Sequence, residues 1–304
     1  MENKLSIKTC SIVFVSSFIL CNLATIFLLF LTMSCYAILG LEFSTSVSST
    51  AEFVLLSNLI TNGCLAIIFF VCKKKNEIKF DYHTNFKKIL IYVLVAIVAY
   101  FCLAPIVNST SYVLIKWGIK QSTISYPLST QNYFISILSM CVLPAVCEEL
   151  VFRCIICAGL TKKSSTFAIV VSAVMFSIFH MSLHQTMYPF FMGMLLAYVL
   201  IKENNPLYGM IIHFVNNFIA LTLSYLKISI FSAHWWYFVV AILLFIGVVV
   251  LSVFVLSKQF KFATPTNTNP DNDERKHLSK EDFCYLSVSI SIMLIFWLII
   301  NIIV

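Results

Sequence analysis

A chain of 304 residues that is 60% hydrophobic and 11% charged is too apolar for a soluble globule and reads as a polytopic membrane protein. Its formal net charge of +7 resides in lysines between the apolar runs, where cytoplasmic loops need them, so it requires no nucleic-acid partner. The eleven cysteines are scattered through those runs, and Cys154 and Cys157 form a lone Cys-x-x-Cys. They read as small apolar residues, not as a disulfide set or a zinc site.

Apolar runs able to cross ~30 Å of hydrocarbon lie near 8–39, 53–72, 89–107, 133–158, 165–182, 187–201, 206–226, 236–257 and 284–304. The expected fold is all-α, a transmembrane helical bundle of eight or nine spans, the lower count applying if the short run at 187–201 is partly buried in protein. The first run is too long for a signal-peptide core and no small-x-small cleavage site follows it, so it reads as a retained helix. Residues 108–131 read as an outer loop, with Trp117 at interfacial depth. The segment 258–283 reads as a cytoplasmic linker to the last run. No internal repeat is visible, which removes the sequence signature of inverted-repeat transporters. The chain therefore divides into N-terminal helices and loops over 1–132, a central set of helices over 133–226, and C-terminal helices over 227–304.

Lysine and arginine set the orientation. Sixteen of them fall at the N-terminus and in the loops following every second crossing; only Lys116, Lys120 and Lys227 fall in the other set. By the positive-inside rule the N-terminus is cytoplasmic. The basic set is almost all lysine, with only Arg153 and Arg275 as arginines, which points to an AT-rich, bacterial genome and hence a bacterial plasma membrane.

Three ionisable groups break the pattern. Glu148 and Glu149 are the only acidic residues inside an expected span, and Arg153 is the only basic one. Each ionisable group at the bilayer centre costs about 2.5–3.5 kcal/mol on insertion scales, so such a cluster marks a default functional site. Two later runs carry polar pairs at the same spacing: Phe176 with His180, and His213 with Asn217. Four residues is about one helical turn, so the partners of each pair share a face. Counted along the helices, Glu148, His180, His213 and Asn217 converge around mid-membrane, somewhat to the cytoplasmic side. Pro144, one turn before Glu148, removes a backbone hydrogen bond and kinks the helix. The bland readings are an ion pair between Glu149 and Arg153, an interhelical hydrogen bond for His180, and simple packing for Phe176. Asn216 adjoins Asn217 and leaves the choice of amide open, with spacing favouring Asn217. His184 reads as a residue of the outer interface.

The sequences Glu148-Glu149-x-x-x-Arg153, Phe176-x-x-x-His180 and His213-x-x-x-Asn217 resemble, in order, the three motifs of the CPBP intramembrane proteases, the CAAX-protease and bacteriocin-processing group also called the Abi family. The resemblance covers about 130–226 and implies a CAAX-protease-like core. It implies that Glu148 is the general base for a water, aided by His180. It implies also that His213 and Asn217 stabilise the oxyanion, and that Glu149 and Arg153 pair to orient the site. These roles suit the residue types: a carboxylate can take a proton, and an imidazole and an amide can donate to developing negative charge.

The family's reaction is peptide hydrolysis, so the expected function is a glutamate-dependent intramembrane endopeptidase acting on a peptide or protein near the cytoplasmic membrane face, with the lipid bilayer as its other partner. No cofactor is expected. The alternative is zinc held by Glu148, His180 and His213, since two histidines and a glutamate suit that ion. There is no His-Glu-x-x-His, no Gly-x-Ser, and no Asp within a span, which excludes the zinc-motif, serine and aspartyl types of intramembrane protease. A non-proteolytic scaffold or bacteriocin-immunity protein of the same fold is the competing function, and a transporter with a buried charge relay is the third.

Overall fold

The computed structural model describes residues 5–42, 51–76, 78–119, 130–228 and 279–303, and every regular element among them is a helix. We label these α1 (Ile7–Ile38), α2 (Ala51–Asn76), α3 (Phe86–Lys116), α4 (the continuous run 130–160), α5 (Ser165–Phe179), α6 (Met187–Glu203), α7 (Pro206–Tyr225) and α8 (Lys280–Ile303). The run expected at 236–257 and most of the linker at 258–283 lie outside the described residues.

Six of these helices are long and apolar enough to cross a membrane: α1, α2, α3, α4, α7 and α8. Among the described residues the count is thus lower than the eight or nine expected. The difference comes partly from α5 and α6. With 15 and 17 residues, they extend about 22 and 25 Å at 1.5 Å per residue, short of the ~30 Å hydrocarbon layer. They form a stubby hairpin.

Local chemistry sets the helix starts. Ser6, Ser164 and Asn205 cap α1, α5 and α7, their side-chain oxygens accepting from the backbone N–H of Thr9 (3.1 Å), Phe167 (3.1 Å) and Leu207 (2.9 Å). Each such cap stabilises a helix by about 1 kcal/mol. Asn204 takes the left-handed conformation, with φ at 48°, ending α6 so that Pro206 can open α7 at its favoured first position. α3 runs further than expected, through residues 108–116 of the stretch 108–131 that the sequence reads as an outer loop. The polar residues there do not break it, because Thr110 donates its hydroxyl to Ile106 O one turn back at 2.8 Å.

The bundle has two chemically distinct ends. At one, the loop 78–85 is tied to the turn between α6 and α7: Asp81 N donates to Asn204 O (3.1 Å), Asn205 Nδ2 donates to His83 O (2.9 Å), and Lys88 meets Glu203 at 2.5 Å. This end carries Lys73, Lys74, Lys75, Lys162, Lys163 and Lys202. At the other, Leu183 N donates to Asn301 Oδ1 (2.7 Å), and the hydroxyls of Tyr133 and Thr222 meet at 2.9 Å.

α4 is the central strut. From Val151 to Ala158 its residues are 0–1% exposed, enclosed by α1, α2, α5 and α7. Large apolar side chains of α1, α2, α3 and α8 face outward, as lipid-facing surfaces do. Because lipid offers apolar side chains as good a surrounding as protein does, tight helix contact in a membrane rests on small residues. Gly159 supplies one. A Cβ there would sit 2.3 Å from Cys10 Sγ and 3.2 Å from Leu5 Cβ, and Cys10 is fully buried. Gly159→Ala is expected to push α1 off α4 and cost about 1–3 kcal/mol. Thermal unfolding in detergent checks this, and adding Cys10→Ala, which removes the obstructing sulfur, should recover part of the loss. All eleven cysteines are free.

Candidate active site

α4 widens twice, over Ile137–Val142 and over Glu149–Cys157, into turns with more residues per turn than an α-helix. Such π-type turns recur where a helix carries function. Between them sits Pro144, which has no N–H to give the carbonyl of Met140 four residues back. That carbonyl is instead taken by Asn217, whose Nδ2 donates to Met140 O at 3.2 Å. The proline thus creates an acceptor on α4, and the motif asparagine on α7 fills it.

The second wide turn begins with the charged cluster. Glu149 and Arg153, each 1% exposed, form an ion pair, Nε to Oε2, at 3.1 Å. The guanidinium lies over the ring of Phe176, 4.4 Å from its centroid, a cation–π contact that favours a cation kept from water. The other carboxylate oxygen of Glu149 meets His213 Nδ1 at 3.1 Å, and His213 Nε2 faces Glu148 Oε2 at 3.9 Å. One imidazole therefore spans two adjacent carboxylates. α7 comes this close because Gly209, one turn before His213, has no side chain; a Cβ there would lie 3.2 Å from Glu149 Oε2.

Glu148 is less buried than Glu149, at 16% side-chain exposure, and its Oε2 has no hydrogen-bond partner among the described residues.

His180 ends α5. Its Nδ1 is 2.8 Å from Phe176 O, and its ring packs edge-on against Phe176, with centroids 4.6 Å apart. Phe176 also meets His213 edge-on at 6.0 Å, so it is the apolar spacer that Arg153, His180 and His213 share. Glu148, Glu149, Arg153 and His213 form one contact cluster. His180 adjoins it through Phe176 and is hydrogen-bonded to none of the four. Asn217 stands one turn beyond His213.

Two residues join the site that spacing alone passes over. Tyr188 on α6 donates to Asn216 Oδ1, and Asn216 Nδ2 donates to Asn217 Oδ1 at 3.3 Å. This chain orients the Asn217 amide, which has two N–H groups: one goes to Met140, leaving the other for a ligand. Nothing in the sequence flags Tyr188; Asn216 is flagged only by adjoining Asn217. His184, expected at the outer interface, is 5% exposed, packed against protein in the turn between α5 and α6.

A cavity of about 530 Å³ opens above the hairpin tip, with His180, Tyr188, Asn216 and Asn217 in its wall. Glu148 and His213 are not in that wall; His213 lies one turn deeper on α7. Gln185 and Pro189 of the hairpin join the wall, and the rest of the lining comes from α3 from Tyr100 onward and from α7 and the turn after it, at the end of the bundle away from the lysine-bearing turns. The sequence places the reaction toward the cytoplasmic side. The cavity lies at the opposite end.

The donor set for the zinc alternative is not assembled. Among the described residues no three His, Cys, Asp or Glu side chains are grouped so as to hold a metal ion; His213 directs Nδ1 to Glu149, and His180 stands apart behind Phe176.

A bundle of membrane-length helices with an acid–imidazole cluster buried inside it defines an integral membrane protein. Residues 130–219 match the family model described as type II CAAX prenyl endopeptidase Rce1-like, the same group that the three motifs resemble. Neither the curated proteins nor the solved structures contain a match to this chain.

Proposed function

We propose that this protein is a glutamate-dependent intramembrane endopeptidase with a CAAX-protease-like core, acting on a peptide or protein segment at the membrane. The observation that carries this reading is the row Glu149–His213–Glu148, in which one buried carboxylate holds an imidazole and a second, unpartnered carboxylate stands ready beside it. In the reaction Glu148 takes a proton from water as the oxygen attacks the scissile carbonyl carbon. The resulting oxyanion receives the free N–H of Asn217 and the Nε2 side of His213. When His213 carries a proton on each nitrogen, it, Arg153 and the two glutamates sum to zero formal charge, so the cluster accommodates a donor at that place. Glu148 then passes its proton to the departing amine as the C–N bond breaks. His180 faces the cavity and holds the incoming water or the carbonyl.

No metal enters this scheme. Protein purified into lipid nanodiscs is expected to cleave a membrane-anchored test peptide at an unchanged rate after exhaustive chelation, and to hold less than stoichiometric zinc by elemental analysis. A rate lost to chelator and restored by zinc would place Glu148, His180 and His213 as ligands instead. Failure to cut any anchored peptide, with peptide binding unaffected by His180→Ala, would favour the scaffold or immunity reading.

A further inference from the structure

Resting on the protease reading, we infer that the substrate is an internal stretch of polypeptide presented from the non-cytoplasmic side of the membrane. Two observations converge. The lysines gather at the end of the bundle where α5 begins and α6 ends, and the positive-inside rule puts that end in the cytoplasm. The cavity wall runs along the far halves of α3 and α7 to Ser224 and Ile228. Peptide therefore reaches His180 and Asn217 from outside, and the cluster at Glu148 lies beneath the cavity floor.

The lining also selects a class of ligand. Its polar members are amides, phenols, a serine hydroxyl and His180; no Lys, Arg, Asp or Glu lines it among the described residues. Lys227 is exposed in the turn just after α7, not in the wall. A free C-terminal carboxylate drawn into such a site would lack the cationic partner that a desolvated anion needs. Neutral donors and acceptors instead match the N–H and C=O groups of an extended backbone. The site suits cleavage within a chain, in a segment leading out of the membrane, rather than trimming at a charged terminus.

Two arms test this separately from the chemistry. In the first, Ser224→Cys is placed in a parent whose exposed cysteines, Cys35 and Cys284, are serine, and intact cells are treated with a membrane-impermeant maleimide. Labelling of Ser224→Cys above the parent in intact cells is expected, with Lys74→Cys labelled only after permeabilisation; the reverse pattern overturns the inference. A Ser224→Cys chain that is not inserted is recognised by its loss from the membrane fraction, and Gln185→Cys, also in the cavity wall, then replaces it. In the second, single-span reporters carry an unstructured juxtamembrane segment and a folded domain on either the outer or the cytoplasmic side. Cleavage of the outer reporter alone, abolished by Glu148→Gln, is expected. Cleavage of the cytoplasmic reporter alone overturns the direction of access but leaves the protease standing. Cleavage of neither, with Ser224→Cys labelled from outside, sustains the direction of access and tells against the protease.

Discussion

Glu148→Gln is expected to lower the cleavage rate by about 10²–10⁴-fold, the range a general base contributes, without unfolding the protein. The two halves of that expectation have separate grounds. Glutamine matches glutamate in size and polarity but cannot take a proton from water at neutral pH. Stability should hold because little structure leans on this carboxylate: Oε2 has no hydrogen-bond partner among the described residues, and its contact with His213 Nε2 is as long as 3.9 Å. His213 keeps its orientation, since its other nitrogen is held by Glu149 at 3.1 Å. The measurement is a single-turnover cleavage rate in nanodiscs alongside the thermal midpoint of the same sample. A variant that retains its rate within a few-fold shows that another group activates the water.

The elements of this site differ in how far the sequence discloses them, and the physical reason is the range of each interaction. The i,i+4 pairs are local: four residues on a helix share a face whatever surrounds them, so the pairing of Glu149 with Arg153 and the edge-on packing of Phe176 with His180 follow from spacing. The contact between Glu149 and His213 joins residues 64 apart in the chain, and it depends on how closely α7 approaches α4, which Gly209 permits. A glycine in an apolar run carries no mark of what it lets in. The same holds for Asn216: a one-turn rule selects Asn217, yet the structure uses both amides in a row that begins at Tyr188.

Element ends follow the same logic. Hydropathy locates the apolar middle of a helix, but its limits depend on capping and back-bonding, so α3 outruns its apolar core by way of Thr110. The depth of a short span is also a tertiary property. Reading 165–182 and 187–201 as crossings assigns both ends to membrane surfaces, and His184 then falls at an interface. In the folded protein His184 is buried and the turn beside it meets Asn301 near the end of α8, contacts that a hydropathy profile does not carry. Helical class and the charged cluster were legible from composition and period; the cavity beside Asn217 and Tyr188 was not.

Glu149→Gln is expected to destabilise the protein by about 3–5 kcal/mol, the cost of breaking a buried ion pair from one side, and to reduce activity as well. Arg153 is 1% exposed, and neither of its terminal nitrogens has a hydrogen-bond partner among the described residues. The Phe176 face offers it about 0.5–2 kcal/mol, too little to offset a stranded guanidinium inside a membrane protein. Poor membrane yield and a lowered thermal midpoint are the expected readouts. The double variant Glu149→Gln with Arg153→Met removes both charges at similar volume and should recover most of the lost stability, because an apolar replacement of a buried pair is often near neutral. Activity should not recover with it. His213 would then lean on a neutral amide, and in the Ser-His-Asp template an amide behind the imidazole costs about 10⁴ in kcat. Restored stability with activity still depressed would show that Glu149 both balances Arg153 and orients His213. Recovery of both would reduce it to a counter-ion. A single Glu149→Gln variant as stable as its parent would mean that the pair is not buried as described, and the charge count of the site would need to be drawn again.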